Sequence, residues 1–219
     1  MPRSARIVIP NVAHHVIQRG NRRQAIFHDD GDRAAYTSML ANALKVHQTK
    51  CLAWCLMDNH VHLILVPQHE DGLRAPLASV HTNYAQYFNR KLEACGHLFQ
   101  GRFLSYPMDD AHLMVAARYI ENNPVKADMV EHAGDWTWSS ARAHLGLGSD
   151  SLTDAKVLGR HIANWDAMLT DGLEASDRIE SALKSGRPLA DPEWVSLQAK
   201  ELGRSLTPPK RGRPKKNQK

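Results

Sequence analysis

His60 and His62 stand two residues apart at the start of an apolar run that extends to Val66. Side chains on a β-strand alternate between faces, so both imidazoles project from one face while Val61, Leu63 and Leu65 project from the other into a core. Two neutral imidazoles held side by side on rigid backbone suit a divalent metal ion. A pair of polar residues on a solvated strand face satisfies the same spacing. Further along, Tyr119 and Asn123 are four apart, which places them one above the other on a helix, whereas Leu113, Ala117 and Ile120 make a separate apolar stripe. The amide oxygen of Asn123 can add a ligand to two histidines. The phenol of Tyr119, one helical turn away, can attack a phosphorus whose non-bridging oxygen a metal polarises. The same residues also fit a structural tyrosine at a sheet–helix interface and an asparagine capping the helix end.

Other residues compete for these roles. Tyr84 and Tyr87, with Phe88, read as partly core and partly a surface for stacking unpaired bases. The loop Arg19-Gly20-Asn21-Arg22-Arg23 and the segment Gln100-Gly101-Arg102-Phe103 join cations to flexible glycine, which suits phosphate and base contacts as well as an ordinary solvated loop. His14 and His15 straddle the two faces of one strand, so at most one looks toward the site, and both read as structural. His112, seven residues before Tyr119, is an outside candidate for proton handling. Cys51, Cys55 and Cys95 form no CxxC pair and read as buried small hydrophobes.

The elements that must position these side chains follow from periodicity. A strand is predicted over His14 to Gln18, a helix over Asp32 to His47 with Asp29 or Asp30 as its cap, and a hairpin from Leu52–Met57 and Val61–Val66 around Asp58-Asn59. A second helix fits Leu77 to Ala94, a strand Phe103 to Tyr106, and a third helix begins after Asp109 or Asp110 and ends at Pro124. The order strand, helix, strand, strand, helix, strand, helix implies an α+β, ferredoxin-like antiparallel sheet with covering helices. Two further helices are expected near Glu174–Leu183 and from Asp191-Pro192 to Leu202, and their joint at Gly186-Arg187-Pro188 permits a helix-turn-helix.

The 219 residues, at 42 % hydrophobic and 23 % charged, suffice to bury a core, and no apolar run is long enough to cross a bilayer. Without a visible signal peptide, the expected location is cytoplasmic, with no membrane partner. The net charge of +5 is unevenly placed. Residues 1–130 hold 14 Lys and Arg against 11 Asp and Glu, residues 131–203 hold 7 against 12, and residues 204–219 hold 7 against none. The middle stretch reads as an acidic connector that stays away from DNA. The last stretch contains Lys210, Arg211, Arg213, Lys215 and Lys216 around Gly212 and Pro214, similar to an AT-hook that lies in the minor groove of duplex DNA; a basic tail giving sequence-independent attraction fits equally. No GxxxxGK[ST] loop for nucleotide phosphates is present.

Asp58-Asn59-His60-Val61-His62-Leu63-Ile64, Tyr119-Ile120-Glu121-Asn122-Asn123-Pro124-Val125-Lys126 and Gln18-Arg19-Gly20-Asn21 together resemble the single-tyrosine HUH transposases, and most of all the REP-associated tyrosine transposases (RAYT). The resemblance spans roughly residues 1–145. It implies a catalytic domain over 1–145, leaving a helical region over 146–206 and a basic tail over 207–219. It implies Mg²⁺ or Mn²⁺ held by His60, His62 and Asn123, with Tyr119 as nucleophile forming a 5′-phosphotyrosine with single-stranded hairpin or palindromic DNA. Arg19, Asn21, Arg22, Arg23 and Arg102 are then DNA-binding candidates, the tail cations grip duplex DNA, and the protein acts as monomer or homodimer near the nucleoid. A replication or relaxase-type nicking enzyme and a non-catalytic DNA-binding regulator on the same fold are the alternatives.

Overall fold

The computed structural model describes residues 5–159, 162, 164–170 and 176–207. The tail cations Lys210, Arg211, Arg213, Lys215 and Lys216 lie outside the described residues. β1 (His14–Arg19), α1 (Asp30–Val46), β2 (Lys50–Met57), β3 (His60–Val66), α2 (Arg74–Lys91) and β4 (Leu104–Pro107) follow in chain order. The strands make one sheet in the order β2-β3-β1-β4, with every neighbouring pair antiparallel. This β-α-β-β-α-β order is the ferredoxin-like arrangement that the periodicity implies. Then come α3 (Asp110–Glu121), α4 (Asn123–Lys126), α5 (Ala141–His144), α6 (Ala155–Gly159), α7 (Trp165–Thr170), α8 (Ser176–Ser185) and α9 (Pro192–Glu201).

Local chemistry accounts for most boundaries. The Asp29 carboxylate accepts from the Asp32 amide and caps α1; Asp109 does the same for α3 through the His112 amide, and Asp191 for α9 through that of Glu193. α2 begins ahead of Leu77 because Pro76 is tolerated in a first turn, where its missing N–H has no helical partner to lose. α3 ends at Glu121 rather than at Pro124. Asn122 serves as both its C-cap and the N-cap of α4, and Pro124 opens that short second helix.

Both faces of the sheet are covered, which is why Cys51 to Met57 are buried without alternation. On one face Tyr36, Leu40 and Leu44 of α1 and Leu77, Val80, Tyr84 and Phe88 of α2 pack on Val16, Val61, Leu63 and Leu65. On the other, Leu113, Ala116, Ala117 and Ile120 of α3 pack on Ile17, Ile64 and Tyr106, and Leu158, Trp165, Leu169, Ile179 and Leu183 complete that core. α9 leans on the amino-terminal segment through Ile7, Ile9, Val195 and Leu202.

Two expectations change. Tyr84 is fully buried, its hydroxyl donates to the Ile26 carbonyl, and it offers no stacking surface; Tyr87 is half-buried, with its hydroxyl donating to Asp32. Cys51 and Cys55 are buried, but Cys95 is exposed beyond the end of α2. Among the described residues no helix is long and apolar enough to cross a membrane.

Candidate metal and nucleic-acid site

The face of the sheet under α3 carries His15, Ile17 and Arg19 from β1 beside His60, His62 and Ile64 from β3. Antiparallel register sets Arg19 opposite His60, Ile17 opposite His62 and His15 opposite Ile64. The His60 and His62 ring centroids are 4.9 Å apart. His60 Nδ1 donates to Asn59 Oδ1 at 2.6 Å, and the Asn59 amide nitrogen in turn donates to the Arg23 carbonyl. His62 Nδ1 lies 2.8 Å from His15 Nε2, and His15 Nδ1 lies 3.0 Å from the Tyr106 hydroxyl.

Burial pushes His60 down to about 4, with the Arg19 charge adding to the effect, and pushes His15 down to about 3. His62 is driven well below the ordinary imidazole range by burial, helped by His60, His15 and Arg19. All three rings are therefore neutral at neutral pH, the form in which imidazole ligates metals. His62 Nε2 is buried and has no hydrogen-bond partner. An orphaned imidazole nitrogen beside a second imidazole is what a metal site leaves behind, so the residues fit a divalent cation. Among the described residues no group of three His, Cys, Asp or Glu side chains is placed to hold a metal, so a third protein donor must be of another kind.

Tyr119 comes to this face from α3. Its ring meets His62 edge-on with centroids 5.7 Å apart and lies 6.2 Å from His15; Lys126 Nζ sits 4.8 Å over it. Burial and then Glu180 raise the phenol above its ordinary value, while Arg19 opposes them. Asn123 is not on the Tyr119 helix but at the start of α4, and its Nδ2 donates to the Tyr119 carbonyl at 2.8 Å. The capping role and the ligand role are therefore compatible: the amide nitrogen holds the end of α3 and Oδ1 is left for a ligand. The two residues before it anchor the same corner. Glu121 and Asn122 are buried, and Asn122 Nδ2 donates to the Leu169 carbonyl.

Tyr119 lines a cleft of about 920 Å³ whose walls carry Arg6, Arg19, Arg23, Arg102, Lys184, Arg187 and Arg204 against Glu180. Of the sequence candidates, Arg19, Arg23 and Arg102 reach this cleft; Asn21 and Arg22 sit in the adjoining loop and do not line it. Arg6 lies flat on Phe103 and donates to its carbonyl. The connector expected to stay away supplies Lys184 and Arg187, because α8 packs beside β1 and β4. His112 is taken up as a structural group, with Nδ1 on Asp109 and Nε2 facing Arg178.

The Arg19–Arg23 loop is tightly constrained. Arg22 and Arg23 adopt left-handed φ values of 51° and 61°, a conformation that costs side-chain-bearing residues energy unless neighbours enforce it. A Cβ on Gly20 would lie 2.2 Å from the Gln24 carbonyl oxygen and 2.9 Å from Ile26 Cγ2. Gly20→Ala must therefore open the loop, and urea unfolding is expected to register a loss of about 1–3 kcal/mol. An unchanged midpoint would mean the loop yields without cost.

The site thus combines a ferredoxin-like sheet, paired histidines facing a helix-borne tyrosine, and a cationic cleft. The chain belongs to the transposase family described as "Transposase IS200 like", whose profile matches residues 8–123. A protein of Haemophilus influenzae named "Putative REP-associated tyrosine transposase" is 29 % identical over 100 residues, which is 41 % of this chain and 57 % of that protein. The fold is similar to that of a solved REP-associated tyrosine transposase bound to a REP hairpin, with TM-score 0.56 at 18 % identity over 67 % of this chain and 86 % of that one.

Proposed function

We propose that this chain is a metal-dependent single-strand DNA endonuclease and strand transferase acting on hairpin or palindromic, REP-like DNA. One observation carries the reading: of the five tyrosines in the chain, Tyr119 is the one that lines the cationic cleft, and its ring is 5.7 Å from that of His62. The REP hairpin bound by that similarly folded transposase supports the proposed substrate class.

His60, His62 and the Asn123 amide oxygen would hold the cation, Mn²⁺ or Mg²⁺. The chemistry such a cation would supply there is Lewis-acid polarisation of the scissile phosphate. The cleft arginines position the backbone of the strand. Tyr119 Oη attacks the phosphorus and the P–O3′ bond breaks. The phenol gives up its proton, the departing 3′-oxygen gains one, and a 5′-phosphotyrosine and a free 3′-hydroxyl result. The diester is exchanged rather than hydrolysed, so the 3′-hydroxyl can reverse the step and no nucleotide cofactor is required.

The test is incubation with hairpin-bearing single-stranded DNA and Mn²⁺, with and without chelator. A denaturant-resistant protein–DNA adduct that chelator prevents is the expected result. Hairpin binding without adduct across a hairpin series would favour a non-catalytic regulator. Lys210, Arg211, Arg213, Lys215 and Lys216 are proposed to add grip on duplex DNA and so to keep the protein near the chromosome.

Each edge of the sheet is interrupted by isolated contacts from the chain itself. β2 is bridged by Ser139 and Thr153, and β4 by Leu189, whose amide donates to the Pro107 carbonyl. Edges interrupted in this way are poor templates for sheet continuation between copies. Light scattering after size exclusion is therefore expected to give the 24.5 kDa monomer. A stable dimer would mean that another face associates.

A further inference from the structure

The geometry points to His15 as a positioning residue that fixes the tautomer of His62, as Asn59 does for His60, so that each imidazole presents an unprotonated Nε2. This rests on the reading of His60 and His62 as the cation's ligands.

A neutral imidazole carries one N–H, and whichever nitrogen holds it cannot bind a metal. For His60 the choice is settled by chemistry. Its Nδ1 faces an amide oxygen, Asn59 Oδ1, at 2.6 Å. That oxygen only accepts, so Nδ1 carries the proton. The Asn59 amide is itself oriented, since its nitrogen donates to the Arg23 carbonyl at 3.2 Å.

For His62 the partner is a second imidazole, and the chain His62–His15–Tyr106 has two polarities. In one, His62 Nδ1–H donates to His15 Nε2 and His15 Nδ1–H donates to the Tyr106 oxygen. In the other, Tyr106 donates to His15, His15 donates to His62, and the His62 proton sits on Nε2. That nitrogen is buried with no acceptor. Each polarity leaves one buried donor without a partner, the Tyr106 hydroxyl in the first and His62 Nε2–H in the second, and only the first leaves a lone pair on His62 that a cation satisfies. His15 is wholly buried and both of its nitrogens are engaged, so it acts through His62 and is not itself a ligand. Metal-bound histidines usually donate to a carboxylate, carbonyl or water. Here the partner is a neutral ring, so the support adds no negative charge beside a site that must meet phosphate.

The test begins on the full chain with diamagnetic Mg²⁺ present and ¹⁵N-labelled histidine. Long-range ¹H–¹⁵N spectra are expected to place the protons of His60 and His62 on Nδ1. His15→Gln keeps an acceptor oxygen for His62 and should preserve this pattern, whereas His15→Phe fills the space without an acceptor and should move His62 toward the Nε2–H form. Titration with Mn²⁺ alone, followed by loss of the free-ion paramagnetic signal, should show affinity reduced about 10–100-fold in His15→Phe and within about threefold of wild type in His15→Gln. An Nε2–H His62 in the wild-type protein overturns the proposal without any variant, and so does full Mn²⁺ affinity in a folded His15→Phe. Mn²⁺ uptake unchanged in His62→Ala fails in a different way: it overturns the ligand assignment, and the role of the relay falls with it.

Discussion

Tyr119→Phe is expected to abolish the denaturant-resistant protein–DNA adduct while leaving fold and hairpin affinity in place. The substitution removes one oxygen. The ring keeps its edge contacts with His62 and His15 and its place beneath Lys126, so stability should change by no more than about 1 kcal/mol. The cleft arginines are untouched, and hairpin affinity by fluorescence anisotropy should stay within about threefold, since backbone contacts carry it. Chemistry has no such reserve. Tyr36, Tyr84 and Tyr106 are fully buried, and the Tyr87 hydroxyl is bound to Asp32 on the opposite side of the sheet. No other phenol is placed to take over. A variant that still traps DNA covalently would put the nucleophile elsewhere and remove the central element of the proposed function.

The paired histidines, the hairpin and the caps were legible in the sequence because each depends on neighbours within a few residues. Strand alternation puts His60 and His62 on one face whatever the rest of the chain does, and Asp29 and Asp109 need only the next turn of helix. What depends on distant pairing was not legible. Whether His14 or His15 faces the site is decided by the β1–β3 register, which sets His15 opposite Ile64 and so on the His62 face; a one-residue slip would exchange them. Tyr87 has the spacing of a surface aromatic, but its hydroxyl is held by a buried Asp32 that also binds Lys91. The acidic stretch misled through averaging. Its net charge is negative, yet packing delivers Lys184 and Arg187 to the cleft and leaves most of the carboxylates elsewhere. A segment's charge says little about which of its residues a binding surface receives.

Glu121 carries the second large effect, and it is one of stability. This fully buried carboxyl receives the Ser140 hydroxyl and His144 Nδ1 on one oxygen and Trp165 Nε1, at 2.7 Å, on the other. It thus ties the end of α3 to α5 and α7, two residues from Tyr119. Glu121→Ala leaves His144 Nδ1 and Trp165 Nε1 buried without an acceptor; Ser140 retains the Trp54 carbonyl. Each stranded donor costs about 1–3 kcal/mol, and the vacated volume adds to that, for a total of about 3–5 kcal/mol. Against a domain stability of about 5–15 kcal/mol, much of the folded margin disappears. Urea unfolding should show the midpoint falling with the slope unchanged. Glu121→Gln, which keeps a carbonyl acceptor but turns a donor toward one of the partners, should fall between wild type and Ala. The two large effects separate cleanly by temperature. Glu121→Ala should regain adduct formation where cooling or a hairpin ligand refolds it, because the phenol and the histidines are all present. Tyr119→Phe should regain none at any temperature. A Glu121→Ala protein as stable as wild type would mean that α3 is held in place by its apolar stripe alone.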